Sequence, residues 1–490
     1  MKKILVGVIS FFTIAGASAL RAENTGVPAE CEDVMLQAFY WDSYKTQSAT
    51  DSKFGRTKWI DLMKDTTAIN ANFDLVWFPP SAFADGGTGK GGVGYTPRQY
   101  SNQESDWGTP TGLNNLINAL HKRGTKVLAD VVINHRGNYN SWCNFYQDNF
   151  GSYGTWQLTS AHICQNDEVN ESSSASGSCK GAATGASDTG SNFDGARDLD
   201  HKSEYVQSWA KAYVKWLLNV MNYDGFRYDM TLGFHGRYLK MYNEAANPYI
   251  SVSELWDGIT RQKQHLQECN YNTMVFDFQQ KYELKKAIVQ GGYGALKKNV
   301  NSFRGQKLER YAVTFIDNHD TFDRGGAYGD NQFTNTTDLS KATAKNQVLQ
   351  ASAYLLSMPG IPCVFYPHWA SYKEEIKELI AVRKRAGIHS ESQVIAESSG
   401  SYWYEGKVQG HRGQVVVRVG NRRDKTVPEG FELAVEGGDR GEYTVYVNEN
   451  AQGIEDVQGS ALKSEKFIED GKIMIRRGEH VYDVLGRKIK

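Results

Sequence analysis

The sequence predicts an α/β protein, a (β/α)8 TIM barrel with a loop-rich domain inserted after strand three and an antiparallel β domain at the C-terminal end. Three observations predict it. Short apolar runs alternate with amphipathic segments from about residue 34 onward, as in a parallel sheet wrapped by helices. No GxGxxG follows the first run, which removes the main support for a dinucleotide-binding open sheet. Asp130, Asp229, Glu254 and Asp320 stand at the ends of candidate strands three, four, five and seven, where barrels build their active sites.

The chain begins with Lys2 and Lys3, an apolar stretch from Ile4 to Ala17, and the small-residue site Ala17-Ser18-Ala19. This reads as a secretory signal over residues 1–22, with Ala22 as a second cleavage point. The stretch is short for a membrane anchor, and no later segment is long and apolar enough to span a bilayer. The expected location is therefore secreted or otherwise extracytoplasmic.

The strand candidates are Val34–Tyr40, Asp74–Phe78, Val127–Ile133, Gly225–Tyr228, Ile250–Ser253, Met274–Phe276, Ala312–Phe315 and Cys363–Phe365. Several are nearly continuous in apolar residues, as expected where both sheet faces are covered. Leu113, Leu116, Ile117 and Leu120 fall at helical spacing, with Thr109-Pro110 as the helix start. Glu204–Met221 and Ala342–Met358 repeat that pattern, and Lys373–Arg385 follows the last strand.

The barrel is assigned to 33–135 and 201–388. Residues 136–200, rich in Gly, Ser, Asn and Asp, form an inserted domain, the alternative being a disordered loop. Alternating runs such as SYWYEGKV and GQVVVRVG give a β domain over 389–448. The tail, 449–490, reads as one hairpin.

The full chain carries a formal charge of −1; Lys2, Lys3 and Arg21 are the only charges in residues 1–22, so their removal leaves −4. That near balance argues against a nucleic-acid partner and fits a neutral substrate. Six cysteines, Cys31, Cys143, Cys164, Cys179, Cys269 and Cys363, show no CxxC metal pattern. Cys164 and Cys179 flank a polar loop and are the first candidate disulfide; free buried thiols are the alternative. Cys363, in IPCVFY, is expected as a buried thiol.

Carboxylates are costly to bury unpaired. Several gathered at one end of a barrel suit glycoside hydrolysis, which needs a nucleophile, an acid/base and support for a positive transition state. Arg227 shares a strand face with Asp229 and is expected to lower its pKa.

The segments MLQAFYWD, VWFPP, GYTPRQY, ADVVINHR, DGFRYD, SELWD, FIDNHD, GIPCVFY and KEEIKELIAVRKRAGIH carry a resemblance. In this order the chain resembles the α-amylase family of glycoside hydrolases, most closely its plant-type members, over roughly residues 33–448. The resemblance implies a retaining, endo-acting α-amylase that cleaves α-1,4-glucosidic bonds in starch, glycogen and maltooligosaccharides, as a monomer. It makes Asp229 the nucleophile, Glu254 the acid/base and Asp320 the transition-state stabiliser. It implies sugar binding by Tyr95, His135, Arg227, His319 and Trp256, with Trp256 near Glu254 and Asp130 in support. Retention implies carboxyls about 5–5.5 Å apart.

The resemblance also implies Ca2+ held by Asn134, Asp188 and Asp198 and by the carbonyls of Ser191 and Gly233, with a second ion near Asp167 as a further option. Calcium takes six to eight oxygens; the alternative is polar loop acids facing water. Two positions depart from the family pattern. Leu232 stands where many relatives carry a lysine on the leaving-group side, and Met230 follows the nucleophile. Tyr402, Trp403 and Tyr404 offer either a sugar platform or an ordinary packed strand. A transglycosylating relative and a glycan-binding protein with a dead site are the competing readings; product sizes test the first, and the three acids speak against the second.

Overall fold

A computed structural model describes residues 26–45, 53–84, 92–171, 179–322, 331–422, 426–438 and 442–449, and the backbone of 464–469, 472–477 and 480–483. The expected signal segment lies outside the described residues.

Eight parallel strands close into a barrel. They are β1 (Met35–Gln37), β2 (Leu75–Trp77), β3 (Lys126–Val131), β4 (Gly225–Tyr228), β5 (Ile250–Ser253), β6 (Met274–Phe276), β7 (Ala312–Phe315) and β8 (Ile361–Phe365). Each pairs with its sequence neighbours, and β8 closes onto β1, with Met35 opposite Cys363. A principal helix follows each strand: α1 (Trp59–Asn72), α2 (Pro110–His121), α3 (Glu204–Asn219), α4 (Gly236–Ala246), α5 (Ile259–Glu268), α6 (Phe278–Ile288), α7 (Ala342–Ser357) and α8 (Lys373–Ala386).

Local chemistry explains the elements. The Thr109 side chain accepts from Gly112 N at the start of α2, and Pro110 takes the first turn, where a missing N–H is harmless. Leu113, Leu116, Ile117 and Leu120 of α2 are buried, each worth about 1.5–3 kcal/mol relative to exposure. Gly387 ends α8 at φ 67°, a left-handed cap that favours glycine.

Between β3 and β4 the insert is tied at its base by a short antiparallel pairing of His135–Arg136 with Arg197–Asp198. Its disulfide joins Cys143 to Cys179, correcting the Cys164–Cys179 expectation. Cys164 is a free buried thiol whose Sγ lies 2.9 Å from Asp188 Oδ1. Cys363 is free and buried.

The C-terminal sheet runs β9 (Gln393–Gly400), β10 (Trp403–Gln409), β11 (Gln414–Gly420), β12 (Glu432–Gly437) and β13 (Tyr443–Asn448), in the order β9-β10-β11-β13-β12. Along β10, Tyr404, Gly406 and Val408 point inward, and Tyr402 before it is 69% exposed. In the tail, Ser464–Glu469, Lys472–Arg477 and His480–Asp483 form three antiparallel strands. The expected single hairpin therefore gains a third strand.

Candidate active site

Register places the first contact. Arg227 on β4 is the direct partner of Asp130 on β3. The Arg227 Nη1 donates to Asp130 Oδ1 at 2.9 Å and to Asp229 Oδ1 at 2.7 Å. Its Nη2 lies 2.9 Å from Glu254 Oε1. One guanidinium thus serves three carboxylates. Burial works against the Arg227 charge, but Asp130, Glu254, Tyr95 and Asp229 outweigh it and hold the group above its ordinary value.

The pull expected of Arg227 on Asp229 is present but outweighed. Burial pushes its carboxyl up, Arg227 opposes this, and Glu254 and Asp130 add to the rise. Desolvation and two like charges outweigh one cation. The Asp130 carboxyl is pushed up to about 6, chiefly by burial and against Arg227. Asp130 also accepts from Tyr95 Oη at 2.8 Å and Trp77 Nε1 at 3.0 Å, so it supports both the arginine and the tyrosine.

Glu254 is held by the chain that follows Asp229. Met230 N–H donates to Glu254 Oε2 at 2.9 Å. Met230 reaches that position with φ 45° and ψ 50°, a left-handed conformation that side-chain-bearing residues rarely adopt. Asp320 N–H donates to Asn318 Oδ1, and Asp320 Oδ2 lies 3.2 Å from His319 Nε2. Gln37 Nε2 donates to His319 Nδ1 at 3.0 Å, which turns Nε2 toward Asp320.

Asp229, Glu254 and Asp320 open into one cleft of about 500 Å³, together with Tyr95, His135 and Trp256. Arg227 and His319 are buried beneath this lining. Tyr95 lies parallel to His319 at 5.0 Å and 11°, and to Trp41 at 6.1 Å and 6°. His135 Nε2 donates to Tyr95 O at 2.9 Å, and burial lowers its pKa to about 4, so it is a neutral ring. Trp256 stacks on Phe278 and donates to Tyr282 Oη. Trp41, Thr96 and Phe193 also line the cleft, and sequence reasoning did not assign them. Trp41 stood inside the motif MLQAFYWD, a signal that was available; Phe193, in an irregular loop, offered none.

A second carboxylate group sits where the insert meets β4. The Asp188 and Asp198 carboxyls lie within hydrogen-bond reach of each other. Asn134 Nδ2 is 3.3 Å from Asp198 Oδ1, and a Cβ on Gly233 would overlap Asn134 Oδ1. Ser191 N–H donates to Leu232 O at 2.8 Å. All five positions expected to hold a metal therefore fall in one neighbourhood. Burial, with Asp188 and Asp167 adding, pushes Asp198 up to about 9. Asp167 is engaged instead by Arg197 and by Asp198 N–H.

Comparison with known proteins bears on this arrangement. A family profile described as "Alpha amylase, catalytic domain" matches residues 71–247. Probable alpha-amylase 2 of Arabidopsis thaliana is 30% identical over 394 residues, covering 74% of this chain and 82% of the relative. The chain belongs to the alpha-amylase family. Alpha-amylase 3, chloroplastic, from the same plant is 27% identical over 436 residues; this chain spans 83% of its own length but 43% of that relative. In fold, this member of the alpha-amylase family matches the crystal structure of an Anoxybacillus alpha-amylase with a TM-score of 0.61 at 18% identity, covering 86% of this chain and 99% of the other. Among its described residues no helix is long and apolar enough to cross a membrane.

Proposed function

We propose that the protein is a retaining α-amylase that cleaves internal α-1,4-glucosidic bonds of starch, glycogen and maltooligosaccharides by double displacement. The observation that carries this reading is the convergence of Asp229, Glu254 and Asp320 on one cleft. Asp229 attacks the anomeric carbon. Glu254 protonates the leaving oxygen and then activates water. Asp320 stabilises the oxocarbenium-like charge. Double displacement starts with the acid/base protonated and the nucleophile ionised. Both carboxyls lie within bonding range of one guanidinium, a short separation that supports retention over inversion. The parallel rings of Trp41 and Tyr95 offer a wall for the sugar to stack against.

Calcium belongs to the same reading. Asp188, Asp198, Asn134 and the Ser191 and Gly233 carbonyls are hard oxygen donors, which is calcium's chemistry. Buried Asp198 and half-buried Asp188, with no salt bridge of their own among the described residues, fit a bound divalent ion. Met230 Sδ accepts from Asn134 Nδ2 at 3.7 Å, so these donors touch the residue beside the nucleophile. Secretion through residues 1–22 and a monomeric enzyme complete the proposal.

A starch digestion tests it. Internal cleavage gives mixed oligomers early, and proton NMR of fresh product shows the α anomer first. Early release of a single small product, or initial β anomer, overturns the reading.

A further inference from the structure

At the barrel end where the strands begin, away from the cleft, three distant chain segments meet. Glu30 precedes β1, His389 follows α8, and His411 sits in the turn between β10 and β11. A ligand atom of each lies within 4.8 Å of the others. We propose that Glu30, His389 and His411 form a binding site for a divalent transition-metal ion of the zinc class, which clasps the N-terminal segment and the C-terminal sheet to the barrel.

The backbone brings these side chains together before any ion arrives. Ser390 N–H donates to Cys31 O at 2.8 Å, and Glu30 N–H donates to Glu391 Oε2 at 2.8 Å. His411 N–H donates to Gly387 O and Arg412 N–H to Ala386 O, both at 3.0 Å. The turn is thus docked on the end of α8. Glu30 itself adopts φ 45°, an uncommon conformation for a residue with a side chain.

The donors suit the metal. Two imidazoles and one carboxylate form a recurrent zinc set, completed by water. The rings of His389 and His411 stack at 4.1 Å and 15°, an arrangement that two imidazolium charges would oppose. His411 Nδ1 lies 3.1 Å from Glu32 Oε1, which leaves Nε2 facing Glu30 at 3.8 Å. A carboxylate behind a ligating histidine fixes its tautomer and raises its basicity. Arg412 Nη1 holds Glu32 in turn at 3.0 Å.

Binding carries two adjustments. Tetrahedral zinc at 2.0–2.1 Å needs donors about 3.3 Å apart. Glu30 and His411, with side chains 64% and 41% exposed, are free to close in. His389 Nδ1 accepts from Glu391 N–H at 3.3 Å. Metal at Nδ1 displaces that long bond, and metal at Nε2 moves the ring proton to Nδ1 and loses it as well.

The test is zinc titration of the full chain in saturating calcium, by calorimetry and by melting temperature, on wild type and the H411A, E30Q and E32Q variants. Wild type takes up one ion beyond any bound by H411A, and its melting temperature rises with zinc. H411A and E30Q lose at least about tenfold in affinity, and E32Q, which keeps the ligands, about ten- to a hundredfold. Absence of zinc uptake, or uptake that is the same in wild type and H411A, overturns the site; the second result assigns the ion to other groups such as the catalytic carboxylates.

Discussion

Two groups of carboxylates flank the turn after β4, one at the ends of barrel strands and one on the insert, and they balance their charge differently. Around Asp229 the chain supplies its own cation, because Arg227 bonds Asp130 and Asp229 and reaches Glu254. Around Asp198 it supplies neutral donors: Asn134 Nδ2, Phe193 N–H, and the Cys164 thiol and Asn166 amide on Asp188. The nearby Arg197 is committed to Asp167 and Glu168. A built-in guanidinium needs no ion from solution to hold the Asp229 cluster. A site left short of positive charge would make the insert depend on the calcium proposed above.

The largest effect should come from Asp229→Asn. Starch hydrolysis by this variant falls about 10⁴-fold or more, while its melting curve stays close to wild type. A rate within tenfold of wild type sinks the assignment of Asp229. Arg227→Met comes next, since it strands three carboxylates in a buried cluster. Urea unfolding should show a loss of about 3–5 kcal/mol, and an unchanged midpoint would show that the guanidinium is not what holds the cluster.

Calcium removal addresses the other group. Above its dissociation constant, each tenfold drop in free calcium lowers stability by about 1.4 kcal/mol, and Asp198→Asn should blunt that response. The pH dependence follows from the direction of the shift. A carboxyl whose folded pKa exceeds its unfolded value stabilises the fold at low pH and loses that contribution as pH rises. With Asp198 at about 9 against an ordinary 3.8, the calcium-free chain weakens progressively across that window. Calcium displaces the proton, so its affinity climbs with pH over the same range, by at most about tenfold per unit. An affinity flat in pH would contradict this.

Leu232 sits between the two groups, its side chain lining the cleft and its carbonyl accepting from Ser191. Leu232→Lys should lower KM for maltooligosaccharides about fivefold, near 1 kcal/mol, and leave calcium affinity unaltered. A changed calcium affinity would show that the groups are coupled through this residue.

The barrel was legible because a strand covered on both faces writes itself as an apolar run. β4 to β7 begin and end where the pattern does. The acids were legible for the complementary reason, since a carboxylate closing such a run needs an explanation. The cysteine pairing was not. Cys143, Cys164 and Cys179 lie in irregular loops, where spacing says nothing about which thiols meet. The net rise in the proton affinity of Asp229 was not legible, because local spacing shows Arg227 but neither the burial of the carboxyl nor Glu254 and Asp130 closing in from neighbouring strands. Glu30, His389 and His411 were invisible because their meeting depends on how the sheet turn docks on α8.

The bridge between Cys143 and Cys179 gives the insert a memory of where it was made. It closes a loop with a sequence separation of 36, and such a crosslink is worth about 4 kcal/mol in the chain-entropy account. Chain produced in a reducing compartment would fold its barrel without that help and leave the insert to its base pairing and the proposed calcium. Two preparations of identical sequence should then differ in how much calcium they need, and a reducing agent should convert one into the other.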